Sequence, residues 1–383
     1  PEAGLHWFLT YLRHHQDTLT MLPQAWDPCF LIGAGGEGIV GLQVDDSLVA
    51  GSARFLAQEK QVENRFSCKA IEFLNEEKEV RFNGTTLRRL PDGTVSMSQR
   101  PWLERMEVPK TAEAFVSNRA RGGYVATSTR PDLAAPIQLL AKAQKDPSPS
   151  DFRQLKKILD YCRRTADFSL NYVPLDPSSL RVMVFADAAF ANRDGFWSQL
   201  GFVIVLADQR RGNILHYRSF KCHRVTRSVL AAELYASVAG HDYAFVLGES
   251  LSTLFPSIEV HLYTDSKTLW DVVTRFSTTD EKRLLIDVMG LRESYSEAKL
   301  KSISWIAGTS NPANALTKCE LSVNSALARL MQSNELQLDM LGWVDRVKLS
   351  DASSSTRKDG RVSNPRTTVS VDEQAAPKSL GPS

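Results

Sequence analysis

The sequence predicts an α/β fold, a mixed five-stranded sheet with flanking helices, and three stretches carry that prediction. Val182-Met183-Val184-Phe185-Ala186-Asp187 is an apolar run of strand character that ends in an acid. Val260-His261-Leu262-Tyr263-Thr264-Asp265-Ser266-Lys267 is a second such run, with a helix start behind it. Between them, Ser228-Val229-Leu230-Ala231-Ala232-Glu233-Leu234-Tyr235-Ala236 has helical spacing and carries a third acid. Short apolar runs closed by turn or cap residues read as buried strands, and one-face spacing reads as helix.

In chain order, Leu5 to Leu12 has the spacing of an amphipathic helix, with His14 and His15 following as a solvated pair at its end. Cys29-Phe30-Leu31-Ile32 reads as a short strand. Gly33-Ala34-Gly35-Gly36-Glu37-Gly38 fits the dinucleotide pattern G-x-G-x-x-G, but that pattern needs a helix behind it to hold a pyrophosphate. The β-rich run Ile39 to Val44 follows instead, so the stretch reads as a hairpin. Asp45 and Asp46 then fall between apolar runs, as in a tight turn.

Phe82-Asn83-Gly84-Thr85 and Gly93 to Gln99 suggest a further hairpin, with Pro91-Asp92-Gly93 as a turn. From about Pro109 to Thr165 the pattern is helical. Pro131 and Asp132 suit a helix start, and Ser150 suits the cap of a helix that aligns Phe152, Leu155, Ile158, Leu159 and Cys162. Lys156, Lys157, Arg163 and Arg164 lie on its other side, either as a solvated face or as phosphate contacts. Gly201 to Leu206 and Ile214 to Phe220 read as the second and third strands of the main sheet, completing an antiparallel meander. Lys221, His223, Arg224 and Arg227 lead into the Glu233 helix as a basic cluster within reach of a nucleic-acid backbone, or as a solvated turn. Ser266 suits the cap of the helix after Asp265, Trp270 and Val273 give that helix an apolar side, and Ile303 to Ile306 reads as the fifth strand. After about Val347 the chain turns to Ser, Thr, Pro and charge, which predicts a disordered tail.

Composition bounds the function. With 383 residues, 43% hydrophobic and 23% charged, there is material for two or three domains. A net charge of +2 excludes a global basic field, so any nucleic-acid surface must be local. The five cysteines (Cys29, Cys68, Cys162, Cys222, Cys319) include no Cys-x-x-Cys, which argues against a zinc site and a disulfide framework and suits a reducing intracellular compartment, cytoplasm or nucleus. No apolar run approaches the roughly 18–20 residues of a membrane span, so no membrane partner is expected. The start at Pro1 has neither Met nor the features of a signal peptide and reads as a truncation.

Each acid alone suits a turn, a cap or a solvated helix face. Two strands ending in Asp at one sheet edge, with a helix bringing Glu beside them, instead make a cluster that needs cations, because close carboxylates raise one another's pKa. Oxygen-only ligands select Mg²⁺ or Mn²⁺.

The series Phe185-Ala186-Asp187, Ala231-Ala232-Glu233-Leu234-Tyr235-Ala236, Tyr263-Thr264-Asp265-Ser266-Lys267 and Asn311-Pro312-Ala313-Asn314-Ala315-Leu316-Thr317-Lys318 resembles the ribonuclease H domain of copia-type LTR retrotransposon polyproteins. The resemblance implies a ribonuclease H-like sheet and two-metal hydrolysis of the RNA strand of RNA–DNA hybrids, with Asp187, Glu233 and Asp265 as metal ligands. The family's fourth acid is Asn314 here. An amide oxygen can ligate a hard cation but carries no charge. Upstream, Gln43-Val44-Asp45-Asp46 resembles the Tyr-Val-Asp-Asp loop of a reverse transcriptase palm, with Gln43 in place of the aromatic residue. Ala25 to Phe30 and Thr127-Ser128-Thr129-Arg130-Pro131-Asp132 resemble the same polyproteins in consistent order.

The resulting map has a partial palm at 1–108, a helical thumb- or connection-like segment at 109–178, a ribonuclease H-like domain at 179–335 and a mostly disordered tail at 336–383. The family's further palm acid and fingers would precede Pro1, so RNA-directed DNA synthesis is not expected of this chain. The expected partners are an RNA–DNA hybrid and other parts of the parent polyprotein. The alternative is a decayed or domesticated element that binds nucleic acid without cutting it.

Overall fold

Hydrogen bonding sorts the strands among the described residues into three sheets. The computed structural model describes residues 2–345 except Trp26, Asp45, Lys145, 192–194, 276–278 and Asp280.

The first sheet follows helix α1 (Glu2–Asp17) and runs in chain order, β1 (Leu22–Pro23), β2 (Phe30–Ile32), β3 (Gly38–Gln43) and β4 (Asp46–Gly51), all antiparallel. The expected hairpin replaces a dinucleotide site, and its glycines have a packing reason. A Cβ added at Gly33, Gly38 or Gly51 would lie 2.4, 2.2 or 2.6 Å from the ring of Phe55, which is buried on helix α2 (Ala53–Glu59). Gly35 and Gly36 turn the chain at φ +79° and +72°, where a side chain would be strained. The solvated histidine pair is corrected. His14 and His15 are 4% and 0% exposed. Tyr11 and His15 lie one helical turn apart, so they face the core together: their rings meet at 4.6 Å, and His15 Nε2 is 3.0 Å from Glu59 Oε1.

The second sheet is a meander of β5 (Val80–Phe82), β6 (Thr85–Arg89) and β7 (Val95–Ser98), to which β8 (Leu170–Tyr172) adds after a helical excursion. The excursion comprises α3 (Arg100–Glu104), α4 (Ala112–Ser128), α5 (Ala134–Leu139) and α6 (Pro149–Arg164), packed around Phe115, Val125, Leu133, Leu155 and Ile158. Helix α6 starts two residues earlier than the Ser150 reading. Ser148 is its cap, and Asp151 completes a capping box that satisfies orphan N–H groups reciprocally. Lys156 and Arg163 both pair with Asp160 on the same helix, at 2.8 and 3.1 Å.

The third sheet is mixed, with both parallel and antiparallel neighbours. Strands β9 (Arg181–Ala189), β10 (Gln199–Ala207) and β11 (Gly212–Lys221) form the antiparallel meander; β12 (Glu259–Thr264) and β13 (Ser302–Ile306) continue from β9 in parallel. The sequence expectation of five strands needs one addition. Residues 340–345, placed in the tail, form β14 (Met340–Asp345), antiparallel to β13. Gly342 lets this strand close over Trp270, where a Cβ would lie 3.3 Å from the ring. The tail from 346 lies outside the described residues. Helix α7 (Val229–Ser252) packs on β9 and β10, and Gly240 permits the approach, a Cβ there lying 2.9 Å from Val184 Cγ1. Helices α8 (Lys267–Thr274) and α9 (Leu285–Ser296) join the same face, while α10 (Ala326–Ser333) packs with Met183, Phe185 and Leu316 in the other core. No helix among the described residues is long and apolar enough to cross a membrane.

Candidate metal centre

Register brings the two aspartates together. Strands β9 and β12 are parallel, with Ala186 opposite Thr264, so Asp187 and Asp265, each the next residue, come side by side where their pairing ends. Ser266, capping α8 as expected by accepting from Leu269 N, turns the chain away immediately behind Asp265. Glu233 arrives near the start of α7, whose first turn is fixed by the Ser228 cap. One ligand atom from each of Asp187, Glu233 and Asp265 lies within 4.8 Å of the others. Asp187 and Glu233 are 4% and 6% exposed.

Crowding of this kind is unfavourable for bare carboxylates. Burial, opposed by the Thr317 hydroxyl and reinforced by the Asp265 charge, pushes the Asp187 carboxyl up to about 6. Burial, with the charges of Asp187 and Asp265 added, holds Glu233 well above the carboxylate range. Glu233 Oε2 is buried without a hydrogen-bond partner among the described residues. An orphaned buried oxygen within a set of only carboxylates fits a hard divalent cation, which removes the repulsion and supplies the missing partner.

The segment behind β13 braces the cluster through residues to which sequence reasoning gave no role. Thr317 donates its hydroxyl to Asp187. Asn311, 1% exposed, donates to Ala186 O at 2.9 Å and to Asp265 Oδ1 at 3.3 Å, and its own oxygen caps the 3₁₀ turn Pro312–Leu316. The cap of that turn is therefore Asn311. Asn314 stands beside the cluster, its Nδ2 3.4 Å from Asp265 Oδ2 and its Oδ1 accepting from Lys318 Nζ at 2.9 Å. One sequence signal pointed here. Gly201 sits in an otherwise apolar strand, directly opposite Asp187, and a Cβ there would lie 2.6 Å from Leu316 Cβ. A glycine inside a strand marks such a close approach.

The remaining sequence candidates are dispersed. Lys221 Nζ lies 4.9 Å over the Trp197 ring; Arg224 pairs with Asp287 at 3.0 Å and lies over Tyr235; Arg227 is exposed. Asp46 opens β4 on the first sheet, exposed, and Asp45 lies outside the described residues.

No family model matches the chain. The Secreted RxLR effector protein 161 of Plasmopara viticola is 29% identical over 114 residues, which is 30% of this chain and 76% of that protein. Among solved structures, the N-terminal RNase H domain of rv2228c from Mycobacterium tuberculosis is similar at 22% identity and TM-score 0.29, covering 36% of this chain and 91% of its own. RNase H1 of the halophilic archaeon Halobacterium salinarum NRC-1 is similar at 23% identity and TM-score 0.29, covering 38% and 97%. The foamy viral protease-reverse transcriptase in complex with RNA/DNA hybrid is similar at 11% identity and TM-score 0.39, covering 70% of this chain and 35% of that one.

Proposed function

We propose that residues 179–335 form a metal-dependent endonuclease that hydrolyses the RNA strand of RNA–DNA hybrids, within a fragment of a copia-type retrotransposon polyprotein. The observation that carries this reading is the convergence of carboxylate oxygens of Asp187, Glu233 and Asp265 within 4.8 Å, with a buried oxygen, Glu233 Oε2, that has no protein partner among the described residues. These three residues would hold Mg²⁺ or Mn²⁺. Ions bound at such a site activate a water and stabilise the leaving oxygen of a phosphodiester.

The chain's own residues position that chemistry. Asn311 and Thr317 hold one oxygen each of Asp265 and Asp187, which fixes the orientation of those two carboxylates. Arg227, exposed ahead of α7, offers a backbone phosphate contact. A hybrid would be read by its shape and 2′-hydroxyls, not by base sequence. Residues 1–108 and 109–178 are assigned by resemblance to a palm piece and a connection that would hold the same duplex. Cytoplasm or nucleus is where such a substrate occurs. The two-ion form of the mechanism takes Asn314 as the fourth ligand.

A second reading, binding without cleavage, is favoured by one observation: the side of Asn314 turned to Asp265 is its amide nitrogen, which cannot ligate a cation. A cleavage assay separates the two. With labelled hybrid and Mg²⁺ or Mn²⁺, the chain is expected to cut the RNA strand, and chelation or Asp187→Asn to abolish cutting. A hybrid that is bound but intact with both metals overturns the nuclease reading.

A further inference from the structure

We propose that Lys318 is the resident second cation of this site: Asn314 is a positioning residue that gives its carbonyl oxygen to the Lys318 ammonium, so the acid cluster takes one divalent ion. The inference rests on the metal centre proposed above and replaces the two-ion form of it.

Three neighbours fix the Asn314 amide. Its Nδ2 lies 2.6 Å from Gly308 O and 3.4 Å from Asp265 Oδ2, both acceptors only, while its Oδ1 lies 2.9 Å from Lys318 Nζ, a donor only. Turning the amide over would set oxygen against oxygen twice and N–H against an ammonium. The one oxygen with which Asn314 could ligate a metal is therefore already engaged. An aspartate would fit this position poorly without a further cation, because it has no N–H for Gly308 O or Asp265. The Gly308 carbonyl comes this close because residue 308 has no side chain; a Cβ there would lie 3.1 Å from Asp265 Oδ2.

Charge leads to the same place. One divalent ion and one ammonium together balance three carboxylates. The Asn314 amide bridges the two charges, with Asp265 Oδ2 on its nitrogen and the Lys318 ammonium on its oxygen. Lys318 itself is exposed.

Titration of the intact chain with Mn²⁺, followed by calorimetry and by the electron paramagnetic resonance signal of the free ion, tests the proposal. The wild type is expected to bind a single ion, lost in Asp187→Asn. Asn314→Asp is expected to gain a second, weaker ion. Lys318→Met is expected to bind the first ion about threefold tighter, because a competing charge is gone, and to cut hybrid more slowly. Lys318→Arg is expected to restore wild-type affinity, which a merely structural role would not require. Two ions on the wild type, both lost in Asp187→Asn, overturn the proposal and leave the metal centre standing. Unchanged affinity in Lys318→Met also overturns it. Absence of any Mn²⁺ binding sensitive to Asp187→Asn removes the metal centre itself, and the proposal with it.

Discussion

Thr317 gives its hydroxyl to Asp187 across 130 residues of sequence, and the contact is fully buried. The hydroxyl also lies 3.1 Å from Asn314 O, so the carboxylate competes with the local 3₁₀ turn for one proton. A charged acceptor is the stronger partner. Thr317→Ala is expected to leave an Asp187 oxygen without its donor and to destabilise the chain by about 1–3 kcal/mol. Thr317→Ser keeps the hydroxyl and is expected to cost much less, through its missing methyl alone. Thermal melts of the two variants check this, and equal losses would assign the effect to packing against Gly201.

Metal and acid cluster are linked through stability. An ion that binds the folded site and not the unfolded chain stabilises by about 2.7 kcal/mol at a hundredfold excess over its Kd. Mn²⁺ is therefore expected to raise the Tm of the wild type by several degrees and to leave Asp187→Asn unmoved. In metal-free buffer the order reverses. Removing one of three crowded carboxylates relieves repulsion, so Asp187→Asn is expected to melt no lower than the wild type. A wild-type Tm that ignores Mn²⁺ would refute the site.

The N-terminal unit carries an independent pH dependence. Burial disfavours a charged His15 ring, but the hydrogen bond and charge of Glu59, with the Tyr11 carbonyl, raise its pKa above the ordinary histidine value. A group raised on folding contributes fully below its unfolded pKa, near 6.5, and the contribution is lost as pH rises through the folded value. Urea midpoints are expected to fall as pH rises above about 6.5. Trp7 reports on this unit, its ring lying 5.2 Å from Phe66 beside His14. His15→Phe is expected to flatten the dependence and to cost about 3 kcal/mol, because Glu59 is left buried and unpaired. An unchanged pH profile in that variant would assign the dependence elsewhere.

Asp187, Glu233 and Asp265 were legible in the sequence because each rides on a local signal: an apolar strand closed by an acid, or a stretch of helical spacing that carries one. What the cluster leans on was not legible, because Asn311 and Thr317 reach it only through the register of β9, β10 and β12. The same division holds for the fold. The antiparallel meander is written in apolar runs and turn residues, whereas β14 is a short run whose partner is the free edge of β13. His15 looked like a solvated helix end because the residue that buries it, Glu59, is 44 positions away. Asp45 and Asp46 resembled a palm loop, yet only Asp46 is described, exposed at the start of β4 and paired with Gln43.

Lys221, Arg224 and Arg227, ahead of α7, are not equivalent, which gives the last expectation its shape. Arg224 bonds both oxygens of Asp287, at 3.3 and 3.0 Å, and lies 4.9 Å over the Tyr235 ring, so much of its charge is already engaged within the protein. Lys221 rests its ammonium on Trp197, which leaves the charge in place but holds its direction. Arg227 is exposed and has no ion-pair partner among the described residues. If this turn meets a duplex backbone, removing one phosphate-binding charge reduces the slope of log affinity against log salt by about 0.9. Arg227→Ala is expected to show that full reduction and Arg224→Ala a smaller one. Asp287→Ala is expected to do the opposite, releasing Arg224 and tightening binding at low salt. Fluorescence anisotropy with a labelled hybrid across a salt series measures all three. Equal slope changes for Arg224→Ala and Arg227→Ala would mean that the Asp287 pair opens on binding, and weaker binding by Asp287→Ala would mean that it orders the turn instead of masking it.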